Sequence, residues 1–228
     1  MSLNLLMLGP PGAGKGTQAE RFARSRGIPR ISTGDILREA VQSGTQIGLR
    51  AKAIMDRGEL VSDDVMIGIV RERLDRDDAR PGFVLDGFPR TVAQAAALDA
   101  IMAGRDPLII VDIEVPEGEL VRRLASRMIC ENCGVNAAAG SDGPRCSRCG
   151  GRLVQRTDDN EAVVLERLKV YHLQSEPLIE YYRARPTFRS VDGAQSPDRV
   201  AADMAAAIEA VGNGGRIAGP AVARGEHA

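Results

Sequence analysis

The sequence has no tryptophan, its aromatic residues make up only 3%, and a single histidine, His172, lies outside the C-terminal tail. A core built without aromatics must be aliphatic. Charge of one sign is also missing: 30 basic residues face 31 acidic ones, for a net charge of -1. That balance argues against a general nucleic-acid binder, which is usually basic, and the scarcity of aromatics leaves no surface on which bases could stack. No apolar run approaches the roughly 20 residues that span a bilayer. The N-terminal hydrophobic stretch is too short for a secretory leader and has no basic flank. A cytoplasmic protein without membrane or nucleic-acid partners is expected. At 228 residues, the chain suits one sizeable domain carrying insertions.

What is present begins with Gly9-Pro10-Pro11-Gly12-Ala13-Gly14-Lys15-Gly16-Thr17, directly behind the apolar run Leu3–Leu8. Helical periodicity resumes over Gln18–Arg24, so the stretch reads strand, glycine loop, helix. Residues without side chains let backbone N–H groups turn inward around phosphate oxygens, and the positive end of the following helix adds to the attraction. Lys15 would reach the outer phosphates, and a nearby hydroxyl would help hold Mg²⁺. The usual pattern places Ser or Thr directly after the lysine. Here Gly16 intervenes and Thr17 follows.

The four cysteines form two C-x-x-C pairs, Cys130/Cys133 and Cys146/Cys149, twelve residues apart, and glycine follows the second cysteine of each pair. Four soft ligands at this spacing fit a closed tetrahedral Zn²⁺ site of the structural kind, with no coordination position left for substrate. Two disulfides are the rival pattern, disfavoured in a reducing compartment.

Along the chain, Ile28–Ile31 reads as extended, with Ser32–Asp35 capping a helix from Ile36. Helical pattern continues to about Leu74, with breaks at Ser43-Gly44 and Gly58. Phe83–Asp86 reads as a buried strand ending in an acid, Thr91–Met102 as a helix, Leu108–Val115 as a strand and Glu117–Met128 as a helix. A long helical stretch from about Asp159 to Arg183, a strand Phe188–Asp192 and a helix from Pro197 to about Ala210 complete the alternation. Strands alternating with helices predict an α/β fold, a parallel sheet flanked by helices. The residues near 32–61 and 126–159 break the alternation and read as insertions at the ligand-bearing edge. The Gly- and Ala-rich tail 212–228 reads as disordered.

Asp86, at a strand end, is placed to hold Mg²⁺ opposite the phosphate loop. The arginines Arg38, Arg90, Arg122, Arg123, Arg127, Arg152, Arg156 and Arg167 suggest a cleft that gathers negative charge, since the guanidinium fork suits phosphate oxygens bidentately. With these segments in view, the sequence resembles the adenylate kinase family. The resemblance is carried by Gly9–Gln18, Ser32–Arg38, Leu85–Thr91 and Arg156–Asp159, and it spans residues 3 to about 210. The displaced Thr17 is the form this family uses.

The resemblance implies a P-loop NTPase core (1–31, 62–125 and 160–211) with a helical monophosphate-binding insertion (32–61) and a zinc-bearing lid (126–159). It implies a monomeric enzyme that transfers a phosphoryl group from MgATP to AMP, giving two ADP. Gly12, Ala13, Gly14, Lys15, Gly16 and Thr17 would wrap the ATP phosphates, and Gln195 would meet the ATP base. Thr33, Arg38, the Glu59-Leu60-Val61 backbone, Gly87, Phe88, Pro89, Arg90 and Gln94 would hold AMP, with Arg38 on its phosphate and Gln94 reading the adenine edge. Arg123, Arg127, Arg156 and Arg167 match arginines that close over the phosphate chains, Arg127 on the ATP side and Arg156 and Arg167 also touching AMP. With Lys15, Arg90 and Asp86 they form the expected catalytic set. Between the cysteine pairs, Val135–Gly140 lacks the aromatic and histidine that often follow the first pair. His172, beside Tyr171, is expected to cap or pack. The rivals are a kinase for UMP, CMP or GMP and, from another class, a zinc-ribbon protein that binds nucleic acid.

Overall fold

Near-continuous apolar strands can be buried on both faces only if helices cover both sides of a parallel sheet. The computed structural model, which describes residues 2–137 and 143–212, has that arrangement. Strands β1 (Leu3–Leu8), β2 (Arg30–Ser32), β3 (Gly82–Asp86), β4 (Leu108–Glu114) and β7 (Phe188–Asp192) form one parallel sheet in the order β2-β3-β1-β4-β7. Alternation along β1 divides the core. Leu6 and Leu8 point to the side that also holds Ile31, Leu85, Ile110 and Tyr182. Leu5 and Met7 point to the side of Phe22, Val84, Val111, Leu124 and Met204. The expectation of a purely aliphatic core needs amending, because the few aromatics are gathered inside: Tyr182, Phe83 and Phe88 are among the largest fully buried side chains.

Helices α1 (Lys15–Arg26), α2 (Thr33–Gln42), α3 (Gln46–Met55), α4 (Asp63–Leu74), α5 (Val92–Ile101), α6 (Glu117–Ala125), α7 (Glu161–Val170), α8 (Pro177–Arg183) and α9 (Pro197–Gly212) connect the strands. Helix α2 starts three residues before the expected Ile36 because the cap is Ser32, the first residue of the expected capping stretch: its hydroxyl accepts the Asp35 N–H. The expected breaks at Ser43-Gly44 and Gly58 stand, and α2 packs against α3 between them. Thr91 caps α5 in the same way, through the Gln94 N–H.

Two expectations for the later half are corrected. Helix α6 ends at Ala125, and Met128–Cys130 form β5, paired antiparallel with β6 (Leu153–Gln155). Arg127 therefore lies on the connection into this ribbon and not on a helix. The long helical stretch is interrupted at Tyr171–Ser175, which is wound as a π-helix between α7 and α8. His172 sits there, exposed, and pairs with Glu176 rather than packing inside. Gly212 closes α9, and the rest of the proposed disordered tail lies outside the described residues.

Candidate active site

The strand order reverses at β1, which lies between β3 and β4, and the crevice beyond the strand ends at such a point is where open α/β sheets bind ligands. The loop after β1 opens there. At Gly9 (φ 129°) a Cβ would stand 2.6 Å from the Ile113 carbonyl oxygen of β4, so only glycine lets the loop turn against the sheet. Gly14 (φ 92°) then delivers the chain into α1 at Lys15. The first N–H groups of α1 have no helical partner and are available to an anion. Lys15 Nζ donates to the carbonyl oxygens of Gly9 (2.6 Å) and Pro10 (2.8 Å), holding the loop shut around its own charge. Burial lowers its pKa to about 8, against the pull of Asp86. Thr17 is exposed in the first turn of α1.

Asp86 ends β3, in register with Met7 of β1, and is buried. Its Oδ2 accepts a hydrogen bond from Arg30 Nη2 at 2.9 Å. Arg30 Nη1 reaches Asp35 Oδ2, also at 2.9 Å, and Asp35 Oδ1 pairs with Arg38. Burial works against the charge on both Arg30 and Asp35, yet their ion partners raise the arginine's pKa and lower the carboxyl's. Sequence reading missed Arg30, which belongs to no motif and comes to Asp86 only because β2 pairs with β3.

Beside this chain of charges lies a cleft whose lining includes Thr33, Arg38, Leu60, Val61, Gly87, Arg90, Gln94 and Arg167. These residues come from distant parts of the sequence. The lining adds Leu37, Met55 and Met66, apolar side chains for which the sequence offered no signal beyond hydrophobicity. Thr33 Oγ1 donates to Gly87 O (2.8 Å). Gln94 is held by both ends of its amide: Oε1 accepts from Arg90 N (2.8 Å) and Nε2 donates to Asp63 Oδ1 (2.7 Å). An amide has two N–H donors and two acceptor lone pairs, so one of each is left for a base edge. Phe88 and Pro89 are buried, and Glu59 also lines the cleft, exposed and paired with Arg57.

The arginines gather on the far side. Arg127 and Arg167 both reach the buried Asp159, Arg127 Nε at 2.7 Å and Arg167 Nη1 at 3.1 Å, and Arg167 also pairs with Asp158. Burial alone would raise the pKa of Asp158, but Arg167, Arg156, Arg127 and Arg38 hold it below the usual carboxylate range. Among the described residues, no carboxylate pairs with Arg90 or Arg156. Burial first, then neighbouring guanidinium charge, lowers each to about 10. Arg90 is nonetheless open to solvent across the cleft, and a guanidinium stays charged at any working pH, so the shift marks positive charge short of a counter-ion. Arg123 is not in this group. It pairs with Glu119 (2.7 Å) and donates to Gly193 O (2.9 Å), two residues from Gln195. Gln195 spends its amide on Asp192 O and Asp203.

The four cysteine sulfurs lie within 4.8 Å of one another, with Cys130 Sγ 3.4 Å from Cys149 Sγ and Cys133 Sγ 3.7 Å from Cys146 Sγ. A tetrahedron of Zn–S bonds of about 2.3 Å spaces its sulfurs by about 3.8 Å, so the set fits zinc. The two knuckles are alike: Gly134 N–H donates to Cys130 O and Gly150 N–H to Cys146 O, both glycines at positive φ. Cys130 and Cys149 share their charge as a pair: the pKa of Cys130 is lowered, first by the Cys133 backbone N–H, while that of Cys149, against the Gly151 N–H, is raised by the other thiols. A wider hollow at the opposite end of the sheet, lined by Ser2, Asp75 and Arg105 among others, contains none of these groups. Among the described residues, no helix is long and apolar enough to cross a membrane.

A family model described as adenylate kinase matches residues 7–187. The chain is 49% identical to an adenylate kinase of Archaeoglobus fulgidus, covering 92% of this chain and 99% of that one. It is 50% identical to adenylate kinases of a Geobacillus species (89% and 96% covered) and a Geobacter species (91% and 100% covered).

Proposed function

Since the chain belongs to the adenylate kinase family, it is a phosphotransferase that carries a phosphoryl group reversibly from ATP to AMP, and we propose how its residues divide that work. Gly12–Thr17 wrap the donor phosphates, with Lys15 leaving its loop carbonyls for their oxygens. Asp86 and the Thr17 hydroxyl would hold Mg²⁺, which would supply charge neutralisation there. AMP lies in the Thr33–Gln94 cleft, its phosphate on Arg38 and Arg90, and its base against Thr33, the Glu59–Val61 backbone and the remaining donor and acceptor of Gln94.

An oxygen of the AMP phosphate attacks the γ-phosphorus in line. The new P–O bond forms as the bond to the β-phosphate oxygen breaks, and ADP leaves on each side without a proton having to move. No nucleophile or general base from the protein is needed. Arg90, Arg127, Arg156 and Arg167 spread the charge of the transferring group, with Asp158 and Asp159 aiming Arg127 and Arg167. The bond of Arg123 to Gly193 O supports a place at the donor-base end, near Gln195, rather than on the phosphates. Water would compete with AMP, and the segments 32–61 and 126–159 close to exclude it. Zinc in the Cys130/Cys133/Cys146/Cys149 site shapes the second segment and takes no part in transfer. The enzyme works as a cytoplasmic monomer.

The observation that carries this reading is a single cleft in which Thr33, Arg38 and Gln94 face Arg90 and Arg167. Assaying transfer from MgATP to AMP, CMP, UMP and GMP tests it. AMP should be strongly preferred, and Thr33→Ala with Gln94→Leu should erode that preference far more than it weakens ATP binding, since a site built to hydrogen-bond a base penalises loss of those bonds. An unchanged preference would place base reading elsewhere. Tight binding of a bisubstrate dinucleoside polyphosphate with none of oligonucleotides separates the enzyme from a nucleic-acid binder.

A further inference from the structure

We propose that Arg30 couples the donor-metal site to the acceptor-phosphate site through the charge chain Asp86–Arg30–Asp35–Arg38, so that Mg²⁺ on the donor side tightens AMP binding. The proposal rests on the roles given above to Asp86 and Arg38. One guanidinium holds, with separate nitrogens, a carboxylate from each site: Nη2 on Asp86 Oδ2 and Nη1 on Asp35 Oδ2, both at 2.9 Å. The other oxygen of Asp35 is taken by Arg38. Side-chain exposure is 22% for Arg30 and 11% for Asp86, so solvent screens that link less than it would a surface pair, while Asp35 (45%) and Arg38 (28%) are the more open end of the chain.

The packing keeps Arg30 in place. A Cβ at Gly16 would stand 3.2 Å from Arg30 Nη2 and 3.4 Å from Asp86 Oδ2. The arginine head therefore rests on the first turn of α1, at the residue where the more usual loop carries its hydroxyl. The absence of a side chain at position 16 makes room for the Arg30–Asp86 pair, and Thr17 is left to supply the hydroxyl.

Asp86 cannot give its full charge both to Arg30 and to a divalent ion. When the ion draws on Asp86, the hold of Arg30 shifts toward Asp35. Asp35 in turn releases Arg38 to the acceptor phosphate. By reciprocity, AMP on Arg38 would favour Mg²⁺ at Asp86 to the same degree. Without Arg30 the two carboxylates share no partner and the communication stops.

The test is AMP binding to the full chain by calorimetry in three states: protein alone, with β,γ-methylene-ATP in Mg²⁺-free buffer, and with the same analogue plus Mg²⁺. Closure over the donor would tighten AMP with or without the ion, whereas the charge chain acts only with it. In the unaltered protein, Mg²⁺ should tighten AMP about fivefold or more beyond the analogue alone, and Arg30→Gln should reduce that factor to below about twofold. Arg30→Lys, which cannot hold both carboxylates with a planar fork, should fall between. A purely structural Arg30 would lower the melting temperature of Arg30→Gln and leave the Mg²⁺ factor as it was. That result overturns the proposal, as does an unaltered protein with no Mg²⁺ factor. If Arg30→Gln does not fold, Asp35→Asn cuts the same chain and must flatten the factor too. Arg38→Met is the separate control: if it binds AMP like the unaltered protein, the reading of the acceptor site fails, whatever Arg30 does.

Discussion

In the sheet, β1 buries Leu5 and Leu6 completely and β3 buries Phe83, Val84 and Leu85 completely. In the β5–β6 ribbon, among the described residues from 128 to 155, the only buried side chains are those of Cys130 and Cys146, and Met128 is 37% exposed. The first region is held by apolar area, worth about 25 cal/mol per Å² and indifferent to small ions. The second has no such reserve, so four thiolates converging on one point must supply what a core would. The consequence is functional. In the function proposed above, such a module is the part that swings over the cleft without disturbing the sheet, and the contacts that tie it down include the polar ones of Arg127 to Asp159 and Gln155 Nε2 to Ala125 O.

The comparison breaks first if chemistry resides in the wrong region. Lys15→Met, in the sheet's loop, should reduce turnover by about 10²–10³-fold or more, because it removes a charge aimed at the transferring phosphate. The melting temperature should change little. Near-normal turnover in a coupled ADP assay would refute the role of the loop.

Removing metal should act on the ribbon alone. A chelator, or Cys146→Ser with Cys149→Ser, should split unfolding into an early transition for the ribbon and a later one for the sheet, read by calorimetry. Below the first transition, transfer should persist at a substantial level, since Arg127 and Arg156 flank the sulfurs and are not among them. Loss of activity in a chain shown by circular dichroism to be fully folded would count against a structural ion. One equivalent of zinc per chain is expected by metal analysis.

The reverse experiment is a cavity in the sheet. Leu85→Ala should cost about 2–5 kcal/mol and lower the sheet's melting temperature by roughly 10 °C. Zinc content should not change. If the same substitution releases zinc, the two regions are not independent.

The smallest effect separates them by pH. Asp112 on β4 is 1% exposed, and among the described residues neither carboxylate oxygen has a hydrogen-bond partner. Burial, and secondarily Glu114, raises its pKa to about 6. An unfolded chain releases that proton near 3.9, so between about pH 4 and 6 the folded protein binds more protons and stability falls as pH rises. Asp112→Asn should flatten that slope in melting curves taken across the window. The ribbon should run the other way, gaining stability with pH as its thiols ionise for the metal. A sheet whose slope is unchanged by Asp112→Asn would show that another group carries it.

Local signals made much of this legible. Gly9–Thr17 behind an apolar strand marks a phosphate loop because backbone conformation there is set by the residues themselves. The cysteine spacing marks a metal knuckle for the same reason, and the strands Phe83–Asp86 and Phe188–Asp192 stand close to where their apolar runs put them. Two readings failed where neighbours outweighed local pattern. Helical periodicity through Met128 yielded at Ala125, where β6 offers β5 a ladder, and the long α7–α8 stretch took a π turn at Tyr171–Ser175 that nothing in its periodicity announces.

By itself, then, the sequence determined the phosphate loop, the sulfur set and the alternating plan of strands and helices, since each depends on residues near one another in the chain. Only the tertiary structure decided which charges meet. Arg30 and Asp86 are 56 residues apart, and Gln94 is aimed by Asp63 and the Arg90 backbone. Arg123 turns to Gly193 while Arg127, four residues on, turns to Asp159. An arginine side chain is long, flexible and charged wherever it lies, so its place in the sequence says little about its partner. That choice belongs to the strand pairing and helix packing that carry each carboxylate to it.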